Sequence, residues 1–81
     1  MRIKDFKRRD DLCSKGQTRV MHAPDIGYII KAKNGWYATR DERTWLVGAV
    51  DNSELEQPTV GPYKSAQEAM EVFDRKLSKQ A

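Results

Sequence analysis

The sequence has very little of the residues that usually build covalent or metal-bound sites. Its 81 residues include one cysteine, Cys13, and one histidine, His22. A single thiol cannot form an internal disulfide or a cysteine-based zinc site. The lone histidine lacks partners at the spacing of a nucleophile–base pair or a metal site. The five glycines are dispersed, so no glycine-rich loop can cradle phosphates. We therefore expect no catalytic residues, no metal, no cofactor and no enzymatic activity.

Long hydrophobic runs are absent as well. The longest apolar stretch covers residues 45–50, far short of the roughly 20 residues that a membrane helix needs. The basic N-terminus has no apolar core of the kind that signal peptides carry. We expect a soluble, cytoplasmic protein without membrane contacts. The length allows one small domain.

Positive charge is concentrated at the N-terminus. The net charge is +3, and residues 1–20 hold seven Lys or Arg against three Asp. Such a segment can contact phosphates, or it can be a solvated and poorly ordered tail. We expect residues 1–17 to form a basic, flexible segment and residues 18–81 to form the folded domain.

The strongest local pattern is a β-hairpin centred on Asn34-Gly35, a dipeptide typical of type I′ turns. Residues 28–33 and 36–40, on either side, are rich in aromatic and β-branched side chains. Alternation sorts them onto two faces. One face holds Tyr28, Ile30, Ala32, Tyr37 and Thr39, and the other holds Ile29, Lys31, Lys33, Trp36, Ala38 and Arg40. The three cations of the second group predict that it faces solvent.

The remaining pattern predicts further strands and a C-terminal helix. Residues 18–22 and 44–50 are expected to be strands, 51–58 a loop and 59–60 a short edge strand. Ser65 and Glu68 form a capping box that starts a helix. Its apolar stripe is Ala66, Ala69, Met70, Phe73 and Leu77, and we expect it on the face of Tyr28, Ile30, Tyr37 and Leu46. The sequence thus predicts an α+β fold, a three- or four-stranded antiparallel β-meander with one C-terminal α-helix packed on one face.

Three strands followed by a helix that begins Gly-Pro-Tyr-Lys-Ser-Ala-Gln-Glu-Ala at residues 61–69 and continues to Phe73-Asp74 form a recognisable order. This order resembles the β-β-β-α DNA-binding module of phage integrase N-terminal (arm-binding) domains and plant AP2 domains. In that family the sheet enters the major groove, and its outward side chains contact bases and phosphates. The resemblance implies that Lys31, Lys33, Trp36, Arg40 and Arg43 contact nucleic acid here. The acidic 51–57 loop is longer than in that family, and the sequence has no recombinase catalytic domain, so we expect no integrase activity.

The residues themselves leave two functions open. Trp36, with Lys31, Lys33 and Arg40 on one predicted face, suits either a nucleic acid or an acidic protein surface. Trp45 could join this face. Alternatively, the two indoles pack under the N-terminal segment or the 51–60 loop. We expect a small nucleic-acid-binding or regulatory protein; the alternative is a protein-interaction module, such as a phage-encoded modulator of a host protein complex. A homodimer through an edge strand is compatible with both.

Overall fold

The computed structural model describes residues 2–80, and side chains as far as residue 79. It confirms the predicted α+β fold, with a five-stranded antiparallel sheet in place of three or four strands. The strands follow one another in chain order across the sheet. They are β1 (Lys7–Arg8), β2 (Gln17–Ala23), β3 (Gly27–Ala32), β4 (Gly35–Thr39) and β5 (Thr59–Tyr63), and the helix is α1 (Ala66–Gln80).

The β3–β4 turn lies one residue earlier than the sequence predicts. Ala32 pairs with Gly35, so the turn residues are Lys33 and Asn34 instead of Asn34 and Gly35. Both have negative φ angles, which excludes the predicted type I′ turn. Gly35 is instead a strand residue with φ 141°, and a Cβ there would lie 2.7 Å from the carbonyl oxygen of Tyr63. Position 35 therefore requires glycine because the backbone of β5 lies too close for a side chain.

Pairing partners are displaced by this change, but the two faces are those predicted. Lys31 pairs with Trp36, whereas the prediction paired Lys33 with Trp36. Because the displacement is an even number of residues, the paired side chains of β3 and β4 keep their predicted sides of the sheet, while Lys33 lies in the turn.

The helix, however, packs on the opposite face from the predicted one. Its stripe residues Ala69, Met70 and Phe73 are buried against Ile29 and Ala38 of the supposed solvent face. Ile29 and Ala38 are 0% exposed. The prediction weighed the cations of this face and overlooked that its central positions are apolar. We call this cluster the helix-side core.

The other face of the sheet is covered by short loops. Val20, Ile30, Tyr37, Val47 and Leu55 form this loop-side core. The covering segments contain three-residue 3₁₀ helices at Asp10–Leu12, Thr44–Leu46 and Asn52–Glu54. The predicted strand at residues 44–50 is thus wrong: Leu46, Val47 and Val50 pack against the loop-side core, and the segment does not join the sheet.

The N-terminal segment is folded against the sheet. β1 pairs with β2, and the Arg9 amide donates to the carbonyl of Val20 at 2.7 Å. Phe6 is 6% exposed and belongs to the helix-side core. The high charge density and few apolar residues of this segment predict flexibility. In the structure Phe6 is buried, and Ile3, Leu12 and Cys13 pack against the two cores.

Both edges of the sheet have features that oppose addition of another strand. β1 has only two residues, both exposed cations. On β5, Pro62 lacks an amide hydrogen, Asn52 Nδ2 donates to the Gly61 carbonyl at 3.1 Å, and Lys76 Nζ donates to the Thr59 carbonyl at 3.5 Å. Short, charged or covered edges are common protections against strand pairing. The geometry therefore gives an edge-strand homodimer no support.

Candidate functional site

A single row of side chains crosses four strands near one end of the sheet. Arg19 of β2 pairs with Lys31 of β3, Lys31 pairs with Trp36 of β4, and Trp36 pairs with Tyr63 of β5. Directly paired residues in antiparallel strands lie on the same face. Strand spacing of about 4.8 Å makes the row about 14 Å long. We call these four residues the basic-aromatic row.

This row lies where the helix leaves the sheet uncovered. The adjacent row, which contains Ile29 and Ala38, is buried beneath α1. Lys31 is exposed, while Arg19, Trp36 and Tyr63 are half-buried. An open depression of about 660 Å³ includes Trp36 and Tyr63. Its further lining residues include Lys33, Pro62, Lys64 and Glu68. The sheet thus presents two aromatic side chains, rimmed by cations, beside the first turn of the helix.

Positive charge at this site is not neutralised by ion pairs. Among residues 2–80, no salt bridge involves Arg19, Lys31, Lys33 or Lys64. The Lys31 ammonium lies 5.6 Å from the centroid of the Trp36 ring, a cation–π contact. Glu68 contributes a carboxylate to the rim. Four cations against one carboxylate make the surface suitable for a polyanion.

The helix start explains why Glu68 is available at this rim. Ser65 Oγ accepts a hydrogen bond from the Glu68 amide at 3.1 Å, which is half of the predicted capping box. The Glu68 side chain lines the depression beside Trp36. Because Ser65 fixes the first turn, it also fixes the neighbouring Lys64 and Tyr63 relative to the sheet.

Two of the five residues singled out from the sequence lie away from the row. Arg40 is at the opposite end of the hairpin, where it donates to the carbonyls of Ile26 at 3.2 Å and Asp25 at 2.9 Å. It closes the β2–β3 turn, in which Asp25 has a φ of 70°. Arg43 lies on the loop after β4 and pairs with Asp41 at 3.0 Å. The structure therefore brings together Lys31, Lys33 and Trp36, and separates Arg40 and Arg43 from them.

Asp41 is a buried carboxylate that holds two loops together. It is 3% exposed. Its oxygens accept hydrogen bonds from the Arg43 amide and guanidinium, and from the amides of Glu56 and Gln57. The Arg43 side chain, followed by these amides, lowers the pKa of Asp41 well below its ordinary value, against the opposing effect of burial. Its role is structural, because both carboxylate oxygens accept hydrogen bonds from groups of the two loops.

The single histidine and the single cysteine of the sequence lie outside the basic-aromatic row. The His22 ring stacks on Tyr28, with centroids 4.4 Å apart and an interplanar angle of 21°. Burial raises the pKa of the Cys13 thiol, the direction that disfavours the thiolate. In the described part of the chain, no three His, Cys, Asp or Glu residues are grouped to hold a metal ion. Likewise, none of its helices is long and apolar enough to cross a bilayer.

Trp45 is separate from the basic-aromatic row. It lies in the Thr44–Leu46 3₁₀ helix, whose neighbour Val47 belongs to the loop-side core. With 56% of its surface exposed, it is the exposed large hydrophobic residue of the region that the structure describes. The sequence allowed both indoles to share a face, but only Trp36 lies with the lysines. Trp36 is half-buried and packs against the helix-side core.

Sequence reasoning missed Arg19, Tyr63 and Lys64. Arg19 could have been found by pairing the predicted strand at residues 18–22 with the hairpin in antiparallel register, which places it opposite Lys31. Tyr63 and Lys64 were missed because the predicted edge strand ends at residue 60, before Gly61-Pro62. In the structure β5 continues through that dipeptide to Tyr63.

Comparisons with known proteins found no relative. No family model matches the chain, and no match was found among curated proteins or solved structures.

Proposed function

We propose that this is a small, non-enzymatic nucleic-acid-binding protein, and that the basic-aromatic row with Lys33 and Lys64 is its binding surface. The observation that carries the proposal is the cross-strand sequence Arg19, Lys31, Trp36, Tyr63 on one partly open face. Lys and Arg bind phosphates, and flat aromatic rings stack on bases.

Other features support this proposal. The net charge of +3 favours association with a polyanion. The order of strands and helix resembles the integrase and AP2 DNA-binding modules, although the surface used here differs from theirs. A single half-buried cysteine is compatible with a cytoplasmic location. Arg40 and Arg43 have structural partners, so we assign binding to Lys31, Lys33 and Trp36 with the newly found members of the site.

The proposal is tested by reversing charge at the hairpin. Lys31→Glu/Lys33→Glu changes two exposed side chains and should alter stability by only a few tenths of a kcal/mol. We expect its affinity for a fluorescein-labelled oligonucleotide, measured by anisotropy in 50 mM salt, to fall at least about tenfold, because two phosphate contacts are lost. For the parent, log affinity should fall with log salt with a slope of about −0.7 to −0.9 per phosphate contacted.

A matched control variant distinguishes the effect of mutating the site from the effect of changing the net charge. Lys4→Glu/Arg75→Glu makes the same change in charge at exposed positions outside the depression. We expect this control to lose much less affinity than the hairpin variant. Equal losses would show that binding depends on overall charge, and no binding by the parent at low salt would refute the proposal.

The exposed indole of Trp45 favours a second candidate function. Tryptophan is enriched among the residues that dominate protein–protein binding energy. The alternative is a protein-interaction module, such as a modulator of a host complex, that uses the loop face around Trp45. A complex of this kind should survive 500 mM salt and be lost in Trp45→Ala, whereas phosphate binding weakens steeply with salt.

A further inference from the structure

From the placement of the row beside α1, we infer that the site is built for single-stranded nucleic acid, with bases stacked on Trp36 and Tyr63 and phosphates held by the surrounding cations. This inference rests on the proposed function and specifies its substrate. It differs from the major-groove binding that the resemblance implies.

The covered sheet argues against the major groove. A two-stranded β-ribbon reads duplex DNA by placing an open face against the base edges. In β3 and β4 the central residues of one face, Ile29 and Ala38, are 0% exposed beneath α1. Those of the other face, Ile30 and Tyr37, are buried in the loop-side core. The hairpin therefore has no open face of ribbon length to lay into a groove.

The uncovered row suits bases that are already unstacked. Trp36 and Tyr63 are directly paired and half-buried, so their rings are held by the sheet and by the helix-side core. Inside a duplex, the faces of the bases are stacked on one another and unavailable to such rings. A single strand exposes those faces, and base–aromatic stacking is the usual source of its affinity.

The cations are arranged around these aromatics rather than along an extended stripe. Lys31 lies over the Trp36 ring at 5.6 Å, and Lys33 and Lys64 line the same depression. We expect a base to take the place of the Lys31 ammonium on the indole while that ammonium moves to the adjacent phosphate. Because the row is only about 14 Å long, the contact covers a few nucleotides.

The test uses three probes of equal length with a fluorescein label: oligo(dT) of 12 nucleotides, a 12-base-pair duplex, and a 12-residue abasic strand with the same phosphates but no bases. Anisotropy at one low salt concentration gives the three affinities. We expect oligo(dT) to bind at least tenfold more tightly than the duplex. The affinity for oligo(dT) should also be at least fivefold higher than that for the abasic strand, because loss of one stacked base lowers affinity by about 5- to 150-fold.

Fluorescence then locates the stacking with unlabelled oligo(dT). In Trp45→Phe the remaining indole is Trp36, and stacking should quench its emission in parallel with binding. Trp36→Leu keeps an apolar side chain against the helix and should bind oligo(dT) at least fivefold more weakly, whereas Trp36→Phe keeps most of the affinity. Circular dichroism checks that each variant is folded, and the comparison with the abasic strand does not depend on any variant.

The outcomes separate this inference from the proposed function. Tighter binding of the duplex, or equal binding of the abasic strand and oligo(dT), overturns the inference and leaves nucleic-acid binding in place. Binding of oligo(dT) without quenching of Trp36 also overturns it. Failure of all three probes to bind overturns both proposals.

Discussion

The side-chain oxygens of Thr39 and Thr59 lie 2.7 Å apart at a fully buried position between β4 and β5. Thr59 donates its hydroxyl proton to the Gln57 carbonyl at 3.1 Å, so Thr39 must be the donor in the pair. The Asp41 amide in turn donates to Thr39 Oγ1 at 2.9 Å. These three hydrogen bonds connect the loop that follows β4, at Asp41, to the loop that precedes β5, at Gln57.

We predict that Thr39→Val, which keeps the shape but removes the hydroxyl, destabilises the protein by about 1 to 3 kcal/mol. The buried Asp41 amide would lose its acceptor and Thr59 would lose its donor. Urea unfolding of Thr39→Val, Thr59→Val and the double variant gives the coupling energy. The double variant should lose clearly less than the sum of the single losses. Additivity within about 0.5 kcal/mol would show that the two hydroxyls do not interact.

Asp41→Asn should be destabilised by about 2 to 3 kcal/mol at pH 7. Each Asp41 oxygen accepts hydrogen bonds from at least two donors. Either orientation of the new amide therefore points its NH₂ group at other donors. Thermal and urea unfolding measure the loss. A stability equal to that of the parent would mean that the loops around residues 41 and 56 are not held by this carboxylate.

The same group predicts a pH dependence. Because the pKa of Asp41 is lowered in the folded state, its contribution is fully present above the unfolded value of about 3.9 and is lost as the pH falls below it. We expect parental stability to decline between about pH 5 and pH 2. Asp41→Asn should decline less over that range. Parallel pH profiles for the two proteins would contradict the assignment.

Phe73→Ala should cost about 3 to 5 kcal/mol, since Phe73 is 0% exposed at the centre of the helix-side core. Such a loss is a large share of the stability of a small domain. Leu77→Ala is the matched control on the same stripe, where the side chain is half-buried, and it should cost distinctly less. The midpoints of urea unfolding rank the two variants, and a reversed order would contradict the packing described for α1.

Amide hydrogen exchange tests how firmly the N-terminal segment is held. The Arg9 amide is bonded to the Val20 carbonyl, and Phe6 anchors the segment in the helix-side core. We expect exchange at Arg9 to be slower than at the exposed Lys4, and Phe6→Ala to accelerate it. Fast exchange at Arg9 in the parent would instead support the flexible segment that the charge pattern predicts.

The sequence predicted the elements of this fold better than their packing. The helix, its apolar stripe and the two faces of the hairpin follow from local periodicity and were predicted correctly. The side on which α1 packs depends on which face of the sheet has an apolar centre that better fits the apolar stripe of the helix. One face has Ile29 and Ala38 at its centre, and the other has Ile30 and Tyr37. Alternation alone could not decide this, because both faces are apolar at the centre and both are buried.

Only part of the proposed binding surface was predicted from the sequence, because only part of it depends on local pairing within the hairpin. Lys31 and Trp36 share a row because of local hairpin pairing, which the sequence contains. Arg19 joins them through the register of β2 against β3, and Tyr63 through the register of β5 against β4. Arg40 has the same parity as Trp36, but it lies four residues further along the chain, just past the other end of β4. Alternation along a strand specifies the face of the sheet on which a side chain lies. The register between strands specifies which side chains are its neighbours on that face.

The most direct test of nucleic-acid binding through this row is an NMR titration of ¹⁵N-labelled protein with oligo(dT) of 12 nucleotides at low salt. We expect the largest shift changes at the amides of Arg19, Lys31, Trp36 and Tyr63 and at the Trp36 indole N–H, while the Trp45 indole signal stays in place. Absence of shifts at low salt, or changes centred on Trp45 with Trp36 unmoved, would contradict nucleic-acid binding through this row.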